Sequence, residues 1–165
     1  MYAPAITVGS GGSAATSRNL TFAHKTTQLN FEIKLEKVSG GGEWNNKRVA
    51  LKSIAMKDVA VPESVDAADG TVTWSSAATL AVPGITETVI AETATAAGSP
   101  IMIKAGDKIA VDVVIVVGSD TKVFNNVPVM NGASHLTTVT GQSHKITLTM
   151  KEPATATDAV KIATT

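Results

Sequence analysis

Three histidines, His24, His135 and His144, are the side chains of this 165-residue chain best equipped to bind a metal or move a proton. Metal sites readable from sequence place His or carboxylate donors at short, regular spacings such as H-x-x-x-H. Neither that spacing nor a paired-carboxylate signature occurs, and only folding could bring the three histidines together. With no cysteine there is no thiolate ligand, thiol nucleophile or disulfide. The glycine-rich stretches GSGGS at Gly9 and SGGGE at Ser39 are not followed by the Lys-Ser/Thr of a phosphate loop and read as turns. No G-x-S-x-G elbow is present. The acids Asp66, Asp69 and Asp120 lie in turn-like contexts, too sparse for a calcium loop. The chain reads as a non-enzyme, with no catalytic, cofactor or metal site.

Two tryptophans offer a different chemistry. An exposed indole presents an apolar face to a sugar ring, so Trp44 and Trp74 are candidate glycan contacts; the alternative is that Trp74 packs in the core and Trp44 covers a loop. Arg18 stands in a small-residue, otherwise uncharged segment, where a trypsin-like protease would find it. Basic and acidic residues number 14 each, so no net field draws the chain to nucleic acid. No run of about 18 apolar residues exists to span a bilayer, and the start of the sequence lacks a signal peptide's basic and apolar regions.

The elements that must position these residues are strands. Only 17% of residues are charged and 4% aromatic, while Thr, Val and Ala abound, a mixture that suits pleated, half-buried surfaces. Residues 1–17, rich in Gly, Ser and Ala, form a linker or entering arm, and 18–165 one β-sandwich domain. From residue 28 to 37, Leu29, Phe31, Ile33 and Leu35 alternate with Asn30, Glu32, Lys34 and Glu36, a half-buried strand. Leu20, Phe22 and His24 alternate too, but the step from 24 to 29 is odd, which requires a bulge or kink around 25–28. Placed there, the His24 imidazole is expected to bond backbone groups that the kink leaves unpaired. A second parity switch, between Leu51 and Ile54, predicts a bulge near Ser53. The stretch KIAVDVVIVVG, 108–118, is apolar on one face throughout and on the far half of the other, the pattern of a central or covered strand. Weaker strands fall at 77–82 and 87–91, and further strands at 122–130, 144–150 and 159–164. About eight to ten strands fit two packed antiparallel sheets.

The stretch LTFAHKTTQLNFEIKL, residues 20–35, resembles the start of a domain in the fimbrillin-like (Mfa-like) family of surface proteins from gut and oral anaerobes. The carrying positions are Leu20, Phe22 and His24, then Leu29, Phe31, Ile33 and Leu35, with Tyr2-Ala3-Pro4 similar to the linker ahead of them. Near the other end, Gly141, His144, Ile146 and Leu148 resemble the family's closing pattern, with His144 where an aromatic is usual, and AVKIATT resembles its final strand without the tryptophan that commonly follows. The resemblance implies a transthyretin-like antiparallel β-sandwich of about 8–10 strands, matching the second, C-terminal domain of family members. It implies a structural or adhesive subunit of a type V pilus, or a related lipoprotein, at the outer face of the bacterial outer membrane with its lipid anchor upstream. Its partners would be neighbouring pilus subunits or other surface proteins, or a host protein or glycan. Assembly would proceed by strand exchange: a protease removes an early strand and a neighbour's strand fills the groove. Ala159, Val160, Lys161, Ile162 and Ala163 are then either the donated strand or this domain's own last strand. The alternative function is a non-polymerising surface lipoprotein module that binds glycans or host ligands.

Overall fold

The computed structural model describes residues 23–106, 108–155 and 161–164. Among them are fourteen strands: β1 (Thr27–Glu36), β2 (Val49–Val59), β3 (Pro62–Val65), β4 (Val72–Trp74), β5 (Ala78–Ala81), β6 (Thr88–Val89), β7 (Thr95–Ala96), β8 (Ile101–Ile103), β9 (Ala110–Val117), β10 (Asp120–Pro128), β11 (Met130–Asn131), β12 (Ser134–His135), β13 (Ser143–Lys151) and β14 (Lys161–Thr164). Ten of these build two five-stranded sheets. The first runs β14-β13-β1, with the short β7 and β8 both on the far edge of β1; the second runs β10-β9-β2, with β5 and β6 on the far edge of β2. The pairs β3–β4 and β11–β12 form separate two-stranded hairpins.

Alternation in the sequence becomes alternation in burial. In β1, Leu29, Phe31, Ile33 and Leu35 are all at most 6% exposed, while Asn30, Glu32 and Lys34 are half-buried on the outer face. There Lys145 and Lys151 of β13 meet Glu32 and Glu36 at 3.4 and 3.3 Å. β9 buries Val111, Val113, Ile115 and Val117 against them from the second sheet. Its Val114 and Val116 stay half-buried on the outer face, and its central place comes from having β2 and β10 on either side. Each large side chain so buried contributes about 1.5–3 kcal/mol, and β2 and β13 bury further apolar residues in the same core.

Both expected irregularities are present. The β2–β9 ladder pairs Leu51 with Ile115 and Ser53 with Val114, so Lys52 is the extra residue that lets Leu51 and Ile54 both point inward. Regular strand also stops between Ala23 and Thr27. The backbone there is served by the 141–142 turn: Gly141 N donates to Thr26 O at 2.9 Å, Gln28 N to Gln142 O at 3.0 Å, and the Thr27 hydroxyl to Gln142 O at 3.1 Å. The role expected for His24 is thus filled by main chain, and the imidazole lies exposed beside Gly141. The antiparallel expectation also needs one correction. β1 and β13 pair in parallel, with Phe31 opposite Ile146, Ile33 opposite Leu148 and Leu35 opposite Met150. The chain leaves β1 for the second sheet and returns from it into β13 running the same way, a crossover that permits parallel neighbours.

Candidate functional site

The histidines do not form a centre. His24 and His135 are exposed, whereas His144 is half-buried on β13, where its Nε2 accepts a long 3.5 Å hydrogen bond from Val139 N. Among the described residues no group of three or more His, Asp or Glu side chains could hold a metal ion. Asp66 and Asp69 bond within their own turn, accepting from Ala68 N and Thr71 N, each at 2.7 Å. The bonds from the Thr71 backbone and side chain hold the Asp69 carboxyl below the usual aspartate value. Asp120 opens β10 just after the tight turn at Gly118.

The two tryptophans exchange the places considered for them. Trp44 is 5% exposed and belongs to the core, so its ring presents no face to a ligand. Its loop is held by a residue that sequence reasoning passed over. Glu152, 7% exposed, accepts from Val38 N through Oε2 at 2.9 Å and from Trp44 N through Oε1 at 2.8 Å. Gly42 is packed so tightly against this carboxylate and Pro153 O that no Cβ fits there. Trp74, at the end of β4, is half-exposed and lines a surface cleft, with Lys104 Nζ 5.9 Å from its ring centre. Arg18, and Ala159 and Val160 of the candidate terminal strand, lie outside the described residues.

Lys161, Ile162 and Ala163 stand in β14, which pairs antiparallel with β13: Lys161 opposite Lys151, Ile162 opposite Met150, Ala163 opposite Thr149 and Thr164 opposite Leu148. β14 is therefore an edge strand that covers four of the nine residues of β13. Along 143–147, no described strand pairs with the side of β13 facing away from β1. Next to that stretch lies a trough of about 240 Å³. Buried Val129, Leu136 and Ile146 line it together with polar Ser143 and Asn131. Thr164 fastens the near end of the trough, its hydroxyl accepting from Met130 N at 2.8 Å and donating to Pro128 O at 3.0 Å. What the arrangement can do chemically is accept a strand: backbone donors and acceptors in a row beside an apolar floor.

No protein-family model matches the sequence, and no curated protein matches it. Among solved structures, the chain is similar to a candidate cell adhesion protein of Bacteroides fragilis, with a TM-score of 0.55 and 14% identity, over 87% of this chain and 46% of that one. A candidate cell adhesion protein of Bacteroides uniformis gives a TM-score of 0.45 at 14% identity, over 88% of this chain and 51% of its own. A fimbrial protein of Bacteroides vulgatus gives 0.44 at 14%, over 88% and 54%. This chain thus spans about half the length of each of these proteins. At such identity the likeness to the Bacteroides fragilis protein is one of fold, and the β-sandwich is shared.

Proposed function

We propose that the chain is a structural, adhesive subunit of a cell-surface filament, of the fimbrillin-like kind, that assembles by strand exchange. The observation that carries this is that the described strands cover β13 incompletely: its outer edge from 143 to 147 runs on beyond β14 beside a trough floored by Val129, Leu136 and Ile146. A partner strand laid antiparallel there completes the ladder and covers the apolar floor, and each backbone hydrogen bond it forms replaces one to water. The resemblance of residues 20–35 to fimbrillin-like domains supports the same reading, and so does a fold shared with a candidate adhesion protein.

In this proposal residues 1–17 are a removable arm, cleavage follows Arg18, and residues 159–163 are the donated strand, released from the 148–151 edge of their own β13 so that a neighbour's copy takes the whole outer edge. The molecule sits on the outer face of the outer membrane, held by a lipid anchor upstream, and its partners are neighbouring subunits. Electron microscopy with antibody to this chain tests the reading, on cells carrying either the intact protein or one truncated before Ala159. Filaments from the intact protein alone are expected. Filaments from a truncated protein that still folds by circular dichroism would sink it.

Exposure of Trp74 beside Lys104 favours a second reading, a surface module that binds glycans without polymerising. Label spread diffusely over both kinds of cell is its expected result.

A further inference from the structure

Three neighbouring strands of the second sheet lose their regularity at the same end. In β2 one extra residue separates the Met56–Leu80 and Val59–Ala78 pairs, and Asp58 takes a φ of 51°. In β10 one extra residue separates the Phe124–Val113 and Val127–Val111 pairs, and Asn126 takes a φ of 53°. Just before β9, Lys108 takes a φ of 58°. These are three of the four non-glycine residues with positive φ among those described, and all three line the same cleft of about 550 Å³. Left-handed backbone is unfavourable for such residues and persists where the surroundings impose it, and bulges re-aim side chains.

The surroundings do impose it. Asp112, half-buried on β9, accepts from Asn126 N at 2.7 Å and meets Lys57 Nζ at 3.5 Å, which fixes both bulges to the strand between them. The 104–106 segment is tied down twice. Lys104 N donates to Ala60 O at 2.8 Å, and buried Thr138 bonds both backbone groups of Gly106. The wall bearing Trp74 is anchored by Ser75, whose N donates to Val61 O and whose hydroxyl accepts from Val61 N. Buried Ile103, Ile109 and Val59 line the bottom.

The chemistry of the lining is specific. One indole stands half-exposed at the wall. Lys104 and Lys108 are exposed and have no carboxylate partner among the described residues, while Lys57 is paired with Asp112. Asp58 and Asn126 add an acceptor and an amide from the two bulges. An aromatic ring beside two ammoniums that no described carboxylate pairs suits a hydroxylated ring with an apolar face that carries one anionic group.

We propose that this cleft binds a carboxylated sugar of the uronic or sialic acid class, with the ring against Trp74, the carboxylate on Lys104 and Lys108, and hydroxyls on Asp58 and Asn126. The site rests on the second, glycan-binding reading and gives it a ligand class, and it stands whether or not the chain polymerises.

The intact chain is tested on a glycan array that carries uronic, sialic, sulfated and neutral sugars. Carboxylated glycans are expected above the sulfated and neutral ones, and calorimetry on the best of them should lose about tenfold in affinity when its carboxyl is reduced to an alcohol. Trp74→Ala should weaken binding about tenfold, and Lys104→Gln with Lys108→Gln about five- to tenfold with a flatter salt dependence. Thermal melts of each variant establish that it folds, and the lysine pair serves if Trp74→Ala does not. The proposal is overturned if no carboxylated glycan binds, if neutral or sulfated glycans bind as well or better, or if folded variants bind unchanged.

Discussion

Glu152 gives the most direct test of how the loop around Trp44 is held. Its carboxylate is 7% exposed and accepts two backbone hydrogen bonds, at 2.9 Å from Val38 N and 2.8 Å from Trp44 N. Hydrogen bonds to a charged group contribute about 1.5–3 kcal/mol each, so the pair amounts to roughly 3–6 kcal/mol, and desolvation of the carboxylate offsets about half of that. Glu152→Ala leaves the buried Trp44 N–H without an acceptor and should cost about 2–3 kcal/mol. For a chain of this size that is a fall of about 5–10 °C in Tm. Glu152→Gln keeps one acceptor and turns an NH₂ toward the other N–H, and should cost about 1.5–2 kcal/mol. Urea unfolding followed by circular dichroism gives the free energies. Tryptophan emission should shift red before the global transition, because the loop loses its tie first. An Ala variant within 0.5 kcal/mol of the parent would refute the reasoning, since the loop would then be held by its apolar contacts alone.

Gly42→Ala tests the same corner from outside. An added Cβ lies 2.5 Å from Pro153 O and 2.8 Å from the Glu152 side chain, so a loss of about 1–3 kcal/mol is expected in urea, and a neutral result would mean the corner is loosely packed. Leu148→Ala empties a fully buried site on β13 and should cost about 2–5 kcal/mol; a smaller loss in urea unfolding would mean that the sheets close over the gap. Asp69 carries a carboxyl held low by the Thr71 bonds, so its contribution is present above the unfolded value and disappears as pH falls through the folded one. A carbon-detected NMR titration should place its midpoint below that of a peptide aspartate, and Thr71→Ala should raise it; a midpoint in the ordinary range contradicts the assignment.

What could be read in the sequence depended on whether a strand has one wet face. The bulge near Ser53 was legible because Leu51 and Ile54 are both core residues, so the switch of parity had to be accommodated. The bulge at Asn126 left a fainter mark: Phe124 and Val127, three residues apart, both pack against the core, but they are only half-buried and the rest of β10 is exposed. The places of Trp44 and Trp74 were not legible. Trp44 lies in a stretch whose composition says loop, and the carboxylate that fixes it stands 108 residues away. The parallel partnership of β1 and β13 is hidden for a related reason, because alternation specifies a face and not a neighbour.

The four sheet edges are not equivalent as acceptors. On one side of each sheet the edge is made of pieces two to four residues long, β7 with β8 and β5 with β6, too short to template a new strand. β10 is long and exposed, but its bulge at 124–127, the left-handed Asn126 and the terminal Pro128 interrupt the row of donors and acceptors that an incoming strand would need. Asp112 stabilises that interruption by accepting from Asn126 N, so flattening β10 would break a hydrogen bond to a carboxylate. Among the described residues the outer edge of β13 has no such device. Its nine residues pair with β1 without a register shift, and the backbone continues regularly past the end of β14. A strand added at β10 would have to undo structure, and the other edges offer too short a template, whereas one added at 143–147 extends a ladder already in register.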